Sequence, residues 1–69
     1  MSQWIVIGYP ELGWSKKSEQ DKERFICSSK KATVGAVAIL LDHFKCAHID
    51  IMRDDKYGDH KITEWRKKK

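Results

Sequence analysis

Few residues in this chain have types and spacings that could do chemistry. His48 and Asp50 stand two apart, which on a strand places both on one face, and His60 follows a segment later with Asp54, Asp55 and Asp59 in between. Imidazole and carboxylate converging on one point would suit zinc or another divalent ion. The solvated face of any charged hairpin shows the same spacing, so the pattern assigns no metal. Cys27 and Cys46 have no base beside them in sequence, and three histidines without a motif specify no triad. Gly8, Gly13, Gly35 and Gly58 are scattered and form no phosphate-cradling loop. No catalytic or cofactor-binding residue is assigned, and the chain reads as non-enzymatic.

A second set of residues suits binding. Trp14 precedes Lys16 and Lys17, Lys30 and Lys31 form another basic pair, and Trp65 leads into Arg66-Lys67-Lys68-Lys69. Aromatic groups interleaved with Lys and Arg can stack on bases or fill a partner's pocket. Trp14 has a competing use, because small domains recruit loop aromatics to cap their cores. The net charge of +4 shrinks once it is located. The last four residues are all basic, and the preceding 65 hold ten basic and ten acidic side chains. A formally neutral body argues against a large phosphate-binding face, which needs many uncompensated cations on one surface.

The elements that must position these residues belong to one small domain, residues 1–65, followed by a basic tail, residues 66–69. A chain of 69 residues buries only roughly 60% of its unfolded surface, so its core is small. With 41% hydrophobic and 35% charged residues it is nonetheless composed to fold. The longest apolar run, Val34 to Leu41, is eight residues, too short for a membrane span, and the first four residues resemble no signal peptide. The expected location is cytoplasmic, with no membrane partner and with both cysteines reduced.

Gln3 to Tyr9, QWIVIGY, reads as a first strand that is apolar on both faces, ending at Pro10. Pro10 to Glu23 reads as a long hairpin connection with room for a turn of helix, and Arg24 to Cys27 as a second strand. Ser28 or Ser29 is the expected N-cap of the single helix, which runs to Phe44. Ala47 to Arg53 alternates as a half-buried strand, Asp54 to Asp59 as a turn, and His60 to Arg66 as a fourth strand. The expected fold is α+β in the order β-β-α-β-β, one helix on a sheet of three or four antiparallel strands. One sheet face should stay largely open, carrying Trp65, His48, Asp50, Met52 and Trp4.

On the helix, Val34, Val37, Leu40, Leu41 and Phe44 fall within about 120° of arc, the width of a core-facing stripe. Ile39 points nearly opposite, among Ala32, Gly35, Ala36 and His43. That second surface could admit another backbone, giving a homodimer or a partner site, unless the Pro10 to Glu23 loop folds over it.

The strand FIC, the helix opening SSKKA, the strand HIDIM and the earlier strand WIVIGY together resemble, by layout, very small phage-encoded proteins: inhibitors of host RNA polymerase and some anti-CRISPR proteins. Those families share no site motif that maps onto this chain, so no functional residue is carried over. The resemblance implies a rigid plug that blocks a host protein or nucleoprotein complex without chemistry. The expected contact residues are Trp14, Lys16, Lys17, Lys30, Lys31, Ile39, Trp65 and Arg66. Direct RNA or DNA binding through the same basic and aromatic set is the alternative.

Overall fold

A computed structural model describes residues 3–68. The chain runs β1 (Gln3–Tyr9), α1 (Lys16–Asp21), β2 (Glu23–Cys27), α2 (Lys30–Asp42), β3 (His48–Asp55) and β4 (Gly58–Arg66). All neighbouring strands are antiparallel, in the order β2-β1-β3-β4. The α+β class and the four-stranded antiparallel sheet are those expected. The element order is not, because the first connection contains a helix of its own, giving β-α-β-α-β-β. Its start is encoded locally: Ser15 accepts from the Ser18 N–H at 3.0 Å and donates its hydroxyl to Glu11. The run KKSEQD is only six residues, too short to show an apolar period, which is why the sequence left it as loop.

β1 is central, as its two apolar faces require. A Cβ at Gly8 would lie 2.7 Å from Leu40 Cδ2 and from Cys46 Sγ, so α2 covers the Trp4–Val6–Gly8 side of the sheet. Register places Cys27, Phe25, Ile49 and Ile51 on that side too. The core there comprises Val6, Cys27, Ala36, Leu40, Cys46 and Ile49, with Trp4, Phe25, Val37, Leu41 and Ile51 packed around it. Full burial of side chains such as Leu40, Ile49 and Val6 is worth about 1.5–3 kcal/mol each.

Helix α2 starts where expected, with Ser29 accepting from the Ala32 N–H. Its buried stripe is rotated from the expected one. Thr33, Ala36 and Leu40 are buried, whereas Val34 is 70% exposed and Phe44 is also exposed. Gly8 explains the rotation, because its missing side chain lets Leu40, at the centre of the buried stripe, seat against β1. Thr33 satisfies its hydroxyl by donating to Lys30 O. The helix ends at Asp42, short of the expected Phe44, with the N–H of its cap His43 donating to Ile39 O; Lys45 then takes a left-handed φ of 54°, and the Cys46 N–H returns to Leu40 O. No described helix is long and apolar enough to cross a membrane.

The β3–β4 hairpin is tighter than its composition suggests. Asp54 and Asp55 extend β3, Gly58 and Asp59 extend β4, and only Lys56 and Tyr57 turn. Gly58 supplies a φ of 91°, and the Asp55 carboxylate accepts from the Tyr57 N–H. Ile51 pairs with Thr63 and Met52 with Lys61, so Ile62 is an extra residue, a β-bulge. The sheet also takes in the start of the basic tail. Arg66 lies within β4, and the Lys67 N–H donates to Ala47 O.

Candidate binding site

The sheet face away from α2 carries Ile5, Ile7 and Tyr9 from β1, with Ile26, His48, Asp50, Met52, Glu64 and Arg66 beside them in register. His48, Asp50 and Met52 are therefore where the alternation of β3 put them. Trp4 and Trp65 are not: Trp4 pairs with Cys27 and Arg53, and Trp65 with Ile49, all on the α2 side. Trp4 is part of the core's surround, under the Arg53 guanidinium at 4.7 Å. The bulge at Ile62 reverses the phase of β4, which is why its alternation could not be extended from β3 by counting.

This face is only partly open. The segment after β1 crosses its end, so that Gly13, Trp14, Ser18 and Glu19 join Tyr9, His48, Asp50 and Arg66 around a cavity of about 220 Å³. Buried Ser18 anchors the crossing by accepting from the Glu11 N–H at 3.2 Å. Trp14 does not fold back to cap the core, since it is 80% exposed at the cavity rim. Helix α1 packs on β1 and makes no contact with α2, so it does not cover Ile39, which is 46% exposed.

The cavity floor is an ion-pair network. His48 Nε2 lies 2.8 Å from Asp50 Oδ1 and 3.0 Å from Glu64 Oε2, and these three side chains could hold a metal ion. His60 is not among them; it pairs with Arg53 on the other face, where its Nδ1 lies 3.3 Å from Gly58 O and its Nε2 4.0 Å from Asp55 Oδ2. Glu64 takes its place because the bulge brings it opposite Asp50, a relation the linear spacing does not reveal. Both carboxylate oxygens already have cations. Lys61 Nζ is 3.5 Å from Asp50 Oδ1, and Arg66 Nε donates to Glu64 Oε2 at 3.1 Å. Two acids and two bases balance, so a divalent ion would have to displace both bases. The Arg66 hydrogen bond, with Lys61 nearby, holds the Glu64 carboxyl below its ordinary range. The Tyr9 phenol, which lines the cavity, is pushed up by burial and then by Asp50. Its ring is tilted against that of His48, with centroids 5.5 Å apart.

Of the expected contact residues, the structure gathers Trp14 and Arg66 on one rim, with exposed Lys16 and Lys17 opening α1 just beyond Trp14. Lys30, Lys31 and Ile39 lie on α2 and Trp65 on the α2 side of β4, in the opposite layer. Sequence reasoning missed Tyr9, Ser18 and Glu64 as parts of this site. The Ser15–Ser18 spacing was the one signal for the helix that brings Ser18 there. Cys27 and Cys46 are buried and unpaired, and burial, with Glu23 nearby, pushes the Cys46 thiol up, away from nucleophilic use. Compared with family models, curated proteins and solved structures, the chain matches none.

Proposed function

We propose that this is a non-enzymatic binding protein, an inhibitor or adaptor of phage or mobile-element type, that blocks a host protein or nucleoprotein complex by contact. The observation that carries the reading is Trp14, 80% exposed beside a small cavity instead of being buried. Leaving a Trp in water forgoes the largest apolar burial a side chain offers, in a domain with little core to spare. Tyr9, Arg66 and Trp14 on one concave rim are the residue types that dominate protein interfaces. At about 220 Å³ the cavity lies below the roughly 300–1,000 Å³ of small-molecule sites and suits a single inserted side chain. Lys16 and Lys17 would steer approach to an acidic surface.

The same rim gives the nucleic-acid reading its one support, an exposed aromatic flanked by Lys16, Lys17 and Arg66. A pull-down from host lysate with wild type and Trp14→Ala, each with and without nuclease, separates the two. One stoichiometric protein that survives nuclease and is lost with Trp14→Ala is the expected result, with the melting temperature of the variant unchanged. Loss on nuclease would favour the nucleic-acid reading, and capture that ignores Trp14→Ala would remove this rim from consideration.

A further inference from the structure

β4, whose Arg66 reaches the cavity rim and whose Lys61 and Glu64 join the ion-pair network, has a second property in its outer edge. β4 is an edge strand of nine residues, every one of them exposed, with one side of its backbone unpaired by any described segment. Such an edge is a template for another strand. Its side chains select which. Asp59, Lys61, Glu64 and Arg66 all lie on the face away from α2, and His60, Thr63 and Trp65 all lie on the α2 side. In a regular strand Asp59 and Arg66 would fall on opposite faces, because the side-chain period is two. The bulge at Ile62 inserts the one residue that brings them into phase.

That phase matters for pairing with a second copy. In an antiparallel pair related by a two-fold axis, each residue must face one on the same side of the sheet and of the same hydrogen-bonding phase. With the axis between Ile62 and Thr63, Asp59 faces Arg66, Lys61 faces Glu64, His60 faces Trp65 and Ile62 faces Thr63, each contact occurring twice. All four charged contacts then join opposite signs. Centring the axis between Lys61 and Ile62 also keeps the faces in phase but sets Asp59 against Glu64, acid against acid, and centring it between Thr63 and Glu64 sets Lys61 against Arg66, base against base. The ladder is interrupted at the axis, where the two bulges meet, and continues regularly on both arms. Within one chain Asp59 has the opposite situation: it lies across from Asp54, another acid, whose carboxyl it holds above its ordinary range.

We propose that β4 is a self-pairing edge through which two copies of this chain form an eight-stranded antiparallel sheet, with both α2 helices on one face. The occupant is a second copy, because the charge order of this edge is its own complement about the bulge. Opposite charges facing across strands favour the pair and like charges oppose it.

The symmetry supplies the test. Asp59→Arg makes both Asp59–Arg66 contacts positive against positive, Arg66→Asp makes both negative against negative, and a mixture of the two variants restores opposite signs at both contacts. Sedimentation velocity over a concentration series is expected to show a dimer for wild type, monomers for each variant alone and a dimer for the equimolar mixture. Asp59→Arg removes the clash with Asp54, so its lost dimer cannot be ascribed to a weakened fold; a thermal melt of each variant verifies this. A wild type that is monomeric throughout, a dimer unaffected by Asp59→Arg, or folded variants that stay monomeric when mixed would each overturn the proposal. Should Arg66→Asp fail to fold, Glu64→Lys mixed with Lys61→Glu repeats the experiment on the inner contacts. Trp14→Ala leaves the dimer unchanged, which keeps this result separate from that for the cavity rim.

Discussion

Asp54 and Asp59 face each other across the β3–β4 hairpin, and Asp59, first as a hydrogen-bonding neighbour and then as a charge, holds the Asp54 carboxyl above its ordinary range, with desolvation and then Asp55's charge adding to the effect. A carboxyl whose folded pKa is raised contributes stability below its unfolded pKa and loses it as pH rises through the folded one. At neutral pH the pair therefore works against the hairpin. Asp59→Asn is expected to raise the melting temperature at pH 7 and to have its gain shrink on acidification toward the ordinary carboxylate range. Melts at a series of pH values check both, and a gain that persists at acid pH would reject the pairing. Glu64 has the opposite sign. Its lowered pKa contributes stability above the unfolded value, which is lost as pH falls through the folded one. No count of charges in the sequence distinguishes these two acids; the turn sets Asp54 against Asp59, and the bulge sets Glu64 against Asp50.

The elements were legible where one physical signal dominated. The β-branched run of β1, the Ser29 cap of α2 and the alternation of β3 each forecast their element because burial and capping act locally. Helix α2 shows where that stops. Its start was correct and its inward face was not, since the face depends on Gly8, a residue on another element whose missing side chain makes room for Leu40. Two glycine substitutions with opposite expected signs test this account. Gly8→Ala places a methyl against fully buried Leu40 and buried Cys46, and is expected to cost about 1–3 kcal/mol of overpacking. Gly35→Ala lies mid-helix with nothing within 4 Å of the new methyl, and is expected to gain roughly 0.5–1 kcal/mol by helix propensity. Urea unfolding of both variants measures the difference, and equal effects at the two sites would remove the close approach as the cause of the helix's rotation.

At the scale of the whole molecule, the class and the sheet were legible and the gathering of residues was not. The His48–Asp50 pair was visible as a spacing of two, but its third member required knowing that β4 is bulged, and the expected third member, His60, went to the other face. Trp14 and Arg66 are 52 positions apart and meet only because the Ser15–Ser18 turn brings the first connection back over the sheet. The geometry that assembles the cavity floor also predicts its behaviour toward metals. His48, Asp50 and Glu64 present three donors close together, yet Lys61 and Arg66 already occupy the oxygens facing His48, leaving no net negative charge to attract an ion. Zinc added to wild type is therefore expected to leave the melting temperature unchanged and to give no heat in a calorimetric titration. Replacing both bases, Lys61→Ala with Arg66→Ala, leaves two acids and an imidazole uncompensated. That variant is expected to melt lower without metal and to recover on adding zinc, by about 2.7 kcal/mol at a hundredfold excess over its dissociation constant. If wild type is stabilised by zinc as strongly as the double variant, the two bases do not guard the site, and the cavity floor is a metal centre instead of a closed ion-pair network.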